Sequence, residues 1–182
     1  MPLITDPVFY AVSIPAVLLL GLSKSGFGAG FGSLAVPMMA LVTTVPKAAA
    51  ILMPLLFVMD VLTLKAFRKE LDWKLLAFML PWGLLGIVVG ALLFKILHAQ
   101  TVAGMVGIFA WAFLAQRKLF PPKAHAPPPS KIWGALMSAT SGFTSFVSHS
   151  GGPPINAYAI PLKLAPTVFT GTMAAYFFVI NL

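Results

Sequence analysis

Three ionisable side chains fall inside apolar runs of this chain: Lys24, Asp60 and His149. A charge at bilayer depth is costly, so such residues pair with one another or serve a substrate or ion path. Lys24 stands just before the stretch Ser25-Gly26-Phe27-Gly28-Ala29-Gly30-Phe31-Gly32, where an ammonium would reinforce a site for a negative ligand. His149 stands inside Ser148-His149-Ser150-Gly151-Gly152-Pro153, and an imidazole that titrates near neutrality can gain and lose a proton during a transport cycle. Asp60 is a candidate carrier of a coupling proton or, more plainly, a partner that neutralises Lys24. Lys24 also has the option of snorkelling to the interface.

The two motifs resemble one another. At an offset of 116 (153 − 37), Leu20 meets Leu136, Ser25-Gly26-Phe27 meets Ser141-Gly142-Phe143, Pro37 meets Pro153, Lys47 meets Lys163 and Ala49 meets Ala165. Paired hydrophobic segments interrupted by Gly or Pro in two halves of a chain point to a transporter's binding site. Irregular backbone at membrane depth is tolerated only where protein buries it or it lines a wet cavity. Glycine at every second position suits a backbone that turns through positive φ and exposes N–H groups as an anion nest. A half-helix starting near Ser33 would add its positive dipole end, and Pro153-Pro154 suit the first turn of a second one.

The expected ligand contacts on the first break are Lys24, Ser25, Gly26, Phe27, Gly28, Gly30 and Gly32. On the second they are Ser141, Gly142, Phe143, Thr144, Ser145, His149, Gly151, Gly152, Pro153 and Asn156. Hydroxyls and the Asn156 amide can donate to an oxyanion, although a hydroxyl on a helix more often bonds back to its own backbone. Spacings such as Gly26-xxx-Gly30 also serve close helix packing, and two breaks in register shift the balance towards a cavity.

Composition defines the elements that must hold these motifs. With 59% hydrophobic and 9% charged residues and a mean hydropathy of +0.96, the chain reads as an integral membrane protein. Apolar runs are expected as helices over 8–22, 47–66, 75–97 and 101–115, with a short one at 33–45, a broken element at 132–162 and a last run at 165–182. No ten-residue alternating segments of a β-barrel occur. The net charge of +8 resides in loops, as the positive-inside rule requires, so nucleic acid is not an expected partner. Trp73 and Trp133 are placed in an interfacial belt or, failing that, inside the bundle. With no cysteine, disulfides and cysteine–zinc sites are excluded, and neither metal nor cofactor is expected. The N-terminus lacks the basic n-region and cleavage pattern of a signal peptide, so the first helix is expected to be retained.

The fold class expected is all-α: a polytopic transmembrane bundle containing two Gly/Pro-broken helices from a duplicated repeat. Residues 8–115 form the first repeat, 132–182 an incomplete second one, and 116–131 a basic, Pro-rich cytoplasmic loop. If each broken element enters and leaves on one side, the repeats are inverted; if each crosses once, they are parallel. Half-helices too short to cross separately favour the inverted arrangement.

These residues resemble a known group. The run Gly21 to Gly32 with Ala35-Val36-Pro37, then Asp60, Asp72-Trp73, Gly142 to Pro154, Tyr158, Pro161 and Asn181-Leu182 is similar to the TauE/SafE sulfite exporter family over essentially the whole chain. The resemblance implies a plasma-membrane, multi-pass carrier built from a duplicated unit that moves sulfur-containing anions such as sulfite and sulfonates. Ala29 stands where that family often has another glycine. Its members usually run on for further helices, so this chain is expected to end inside the second copy and to lack part of a cavity wall.

The leading expectation is a secondary transporter of a small anion, its partners being that anion and the lipid bilayer, with homo-oligomers left open. A passive anion channel, or a non-transporting subunit that needs a partner to complete the cavity, is the alternative. An intramembrane enzyme built on Ser148-His149-Ser150 is disfavoured, because adjacent residues do not face one another as nucleophile and base must. No Walker motif supports ATP coupling.

Overall fold

Every regular element among the described residues is a helix. The computed structural model describes residues 6–24, 31–94 and 128–182, with scattered positions between 98 and 118. Helix α1 is Pro7–Lys24; after residues 25–30, which lie outside the described set, come a 3-10 turn, Phe31–Leu34, and the short α2, Ala35–Met39. Helices α3, Val45–Phe67, and α4, Trp73–Phe94, follow, and the described positions within 100–118 are helical. Helix α5, Lys131–Ser148, then α6, Gly152–Ala159, a 3-10 turn, Ile160–Leu162, and α7, Pro166–Ile180, complete the chain.

Local chemistry sets these boundaries. Helices α3, α6 and α7 each begin with proline in the first turn, where its missing N–H costs nothing. Helix α5 is capped by Ser130, whose hydroxyl accepts the Trp133 N–H at 3.2 Å. Val45–Phe67 and Trp73–Leu93 have mean hydropathies of 2.0 and 2.2 and are long and apolar enough to cross a membrane. Pro54 and Pro81 lie inside them, as transmembrane helices tolerate when neighbours satisfy the freed carbonyls.

Each broken element folds back on itself. Gly32 packs against Leu20 and Ser23 near the end of α1, so α2 returns alongside the helix the chain has just left. Tyr158 on α6 reaches Gly134 near the start of α5, so α6 likewise runs back along α5. Gly21 of α1 lies against Met59 of α3, and the short link 40–44 starts α3 at the end where α2 finishes. Helix α7 runs the opposite way: Gly171 abuts Phe67 and Glu70, and Phe57 stacks on Phe178 at 5.5 Å. The α1–α2 hairpin therefore opens where α3 begins, and the α5–α6 hairpin opens where α3 ends.

That second end carries Lys65, Arg68, Lys69, Lys74, Lys131 and Lys163 around Glu70 and Asp72. Asp72 Oδ1 caps α4 through the Leu75 N–H at 2.9 Å, while its own N–H donates to Thr172 Oγ1 at 2.9 Å and ties the loop to α7. Trp73 and Trp133 are both exposed at this end, as an interfacial pair requires.

Helices α4 and α5 run side by side in parallel, with Gly134 near Phe78, Gly142 on Gly83 and Gly90 on Phe143 and Phe146. A Cβ at Gly86 would fall 1.9 Å from the Ala139 carbonyl oxygen, and one at Gly142 would fall 1.9 Å from that of Gly83. Only hydrogen fits there, so the backbones touch, as small residues allow between membrane helices.

Candidate functional site

Backbone that leaves a helix deep inside a protein must find new hydrogen-bond partners. At the second break they are supplied by hydroxyls of α5 itself. Ser141 Oγ donates to the Gly151 carbonyl at 2.7 Å, and Thr144 Oγ1 lies 3.2 Å from that of Ser150. Ser148 Oγ donates to Ser150 Oγ at 2.9 Å. The turn is closed by an αL cap, in which the His149 N–H bonds to the Ser145 carbonyl at 2.8 Å, and the Ser150 N–H reaches that of Thr144 at 3.2 Å. His149 holds the left-handed cap position with φ 50°, which costs a non-glycine residue roughly 1–2 kcal/mol. Its ring reaches across to α3, where Nε2 lies 3.2 Å from the Ala49 carbonyl. A carbonyl only accepts, so the proton of the neutral ring is on Nε2. Gly151 allows the return of the chain, because a Cβ there would meet the Ser141 carbonyl oxygen at 2.7 Å.

The staple can be tested by itself. Ser141→Ala leaves the Gly151 carbonyl only the Ile155 N–H, at 3.4 Å, and is expected to destabilise the protein by about 0.5–1.5 kcal/mol, read as a lowered thermal midpoint in detergent. An unchanged midpoint would show that the hydroxyl does not hold the break.

Beside this break lies a cavity of about 590 Å³. Leu20, Ser23 and Gly32 of the first broken element wall one side; Ser145, His149, Gly152 and Asn156 of the second wall another. Asp60 and Thr63 of α3 and Asn181 after α7 add polar groups. Leu56, Phe169, Met173 and Phe177 contribute apolar wall. The cavity extends along α3 to Ala66 and Phe67, towards the basic end of the molecule. Gly152 opens α6 onto it with no atom of the described residues within 4 Å of where a Cβ would sit. Since Pro153 and Pro154 carry no N–H, α6 buries fewer orphan donors than an ordinary helix start.

Asp60 is 1% exposed, buried where α3 meets α7. Its Oδ2 accepts from Asn181 Nδ2 at 3.2 Å, and Asn181 Oδ1 in turn accepts from Ser145 Oγ at 2.9 Å. A carboxylate, one amide and one hydroxyl thus connect α3 to the second break.

Of the residues expected from sequence, Gly32, Ser145, His149, Gly152, Asn156 and Asp60 come together on this cavity. Ser141, Thr144 and Gly151 form the staple of the break, and Pro153 is buried at the start of α6. Gly142 and Phe143 lie on the α4–α5 seam. Ser25, Gly26, Phe27, Gly28 and Gly30 lie outside the described residues, as do the side chain of Lys24 and, with it, the expected Lys24–Asp60 pair. Ser23, Thr63 and Asn181 join the wall without having been expected there. Each is a polar side chain in or beside an apolar run, and that was the available signal.

A family model, Sulfite exporter TauE/SafE, matches residues 13–182. The chain belongs to the TauE/SafE sulfite exporter family. Membership of that family implies a membrane transporter of sulfur-containing anions and agrees with a non-enzymatic role. No curated protein and no solved structure matches the chain. The resemblance read from the glycine run, Asp60 and the Ser-His-Ser-Gly-Gly-Pro-Pro motif is thereby borne out over nearly the whole length.

Proposed function

We propose that this TauE/SafE protein is a multi-pass secondary transporter of the plasma membrane that carries a small sulfur oxyanion, sulfite or an organosulfonate, through the cavity between its two broken elements. The observation that carries this reading is that residues of both breaks wall one cavity in a chain of 59% hydrophobic residues. Ser145, Gly152 and Asn156 would meet the anion, with Lys24 and the glycines of the first break opposite them. Asp60 or His149 would carry the coupling proton in this scheme. The basic end is taken as cytoplasmic by the positive-inside rule. Residues 8–115 and 132–182 are read as inverted copies, supported by hairpins that open at opposite ends and by the offset matches.

The test is flux of sulfite and of methanesulfonate into proteoliposomes containing the purified chain, with and without a pH gradient. Saturable uptake that responds to the gradient is expected. Conductance that does not saturate would replace the carrier by a channel.

A further inference from the structure

The chain Ser145–Asn181–Asp60 has a direction, and the direction is fixed by chemistry. An ionised carboxylate only accepts hydrogen bonds, so the amide atom facing Asp60 must be nitrogen, as it is at 3.2 Å. The amide oxygen then faces Ser145, whose single hydroxyl hydrogen is spent on it at 2.9 Å. In this state Ser145 offers only lone pairs to the cavity it lines, which suits an anion poorly.

We infer that Asn181 is a positioning residue that converts the protonation of Asp60 into a hydrogen-bond donor at Ser145. The inference rests on the anion-transport reading above. When Asp60 takes up a proton it becomes a donor, and an amide rotated by half a turn presents Oδ1 to it and Nδ2 to Ser145. Ser145 then accepts from Asn181, and its O–H is released towards the cavity, where an oxyanion can take it. Proton and anion thus bind together, and losing the proton withdraws the donor. Other ionisable groups belong to the elements around this point: His149 in the same cavity wall, Lys24 at the end of α1, and Lys65 further along α3 towards the basic end. Helix α7 carries only Tyr176, whose hydroxyl is engaged with the Ser138 carbonyl at 3.0 Å.

The test is binding of methanesulfonate, a strong-acid anion whose charge is constant between about pH 5 and 8, measured calorimetrically on the purified chain in detergent. The parent is expected to bind more tightly at the acid end, and a parent that binds equally at every pH would overturn the relay. Charge repulsion from Asp60 alone would also give that sign, but it would leave the slope intact when Asn181 or Ser145 is changed. The relay instead predicts that Asn181→Ala and Ser145→Ala each lose about tenfold of the acid gain, equivalent to ~1.4 kcal/mol. Asp60→Asn is expected to abolish the slope, and His149→Gln to keep it. The full parental slope in Ser145→Ala, or a slope surviving in Asp60→Asn, would overturn the relay, and either result stands even where Asn181→Ala fails to fold. No binding by the parent at any pH would instead remove the anion reading on which the relay rests.

Discussion

Gly142→Ala is expected to cost about 3 kcal/mol or more, at or beyond the upper end of ordinary overpacking, and to lower the yield of folded protein sharply. The new methyl group would lie 1.9 Å from the Gly83 carbonyl oxygen and 3.0 Å from Gly83 Cα. Both are backbone atoms, so no side-chain rotation relieves the clash, and α4 and α5 must move apart along their shared seam. Gly86→Ala makes the reciprocal collision with the Ala139 carbonyl oxygen and should behave alike. Separation at this seam would propagate to the site, because α5 carries the staple and the Ser145 wall. Gly107→Ala is the control: nothing among the described residues lies within 4 Å of its Cβ position, and at a helical position alanine is favoured by roughly 0.8–1.0 kcal/mol. Thermal midpoints in detergent separate the cases, and a Gly142→Ala protein as stable as the parent would mean that the two helices do not touch.

The second large effect concerns Asp60. Asparagine is nearly the same size and leaves the α3–α7 packing intact, but it cannot exchange a proton. In proteoliposomes, Asp60→Asn is expected to lose pH-gradient-driven accumulation of the anion while retaining exchange of internal for external anion. Removal of one coupled proton withdraws about tenfold of accumulation per unit of pH difference. Gradient-driven accumulation that persists in Asp60→Asn would shift coupling to His149 or remove protons from the scheme. Loss of exchange together with accumulation would make Asp60 a structural residue.

Much of the scaffold was legible because hydrophobic runs and punctuation carry the signal. The run expected over 8–22 is α1, that over 47–66 is α3, and the broken element over 132–162 is α5, α6 and the 3-10 turn after them. The second break falls at His149 to Gly151, where left-handed backbone, glycine and two prolines coincide. The distribution of roles among the hydroxyls was not legible. Ser141 and Ser145, four residues apart, share a helix face, but they lie at different depths. The returning chain passes Ser141, which bonds to Gly151, whereas Ser145 lies a turn further on at the cavity. Gly142 is adjacent to Ser141 in sequence and faces another helix altogether, because each residue turns the helix by about 100°. The seam itself had a trace in Gly83, Gly86 and Gly90, whose spacing leaves one stripe of α4 without side chains. Asn181 became significant only once α7 had been laid antiparallel to α3, which brings it to Asp60 across a sequence separation of 121.

The central claim is that the two breaks share one wet, ligand-accessible cavity. The chain contains no cysteine, so a single substitution supplies a clean reporter, and no described residue fills the space where a side chain at Gly152 would go. Gly152→Cys in proteoliposomes should react rapidly with a water-soluble, charged thiol reagent, and methanesulfonate should slow that reaction in proportion to its occupancy. A thiol that stays unmodified until the protein is denatured, or one that reacts at the same rate whatever the anion concentration, would contradict the claim.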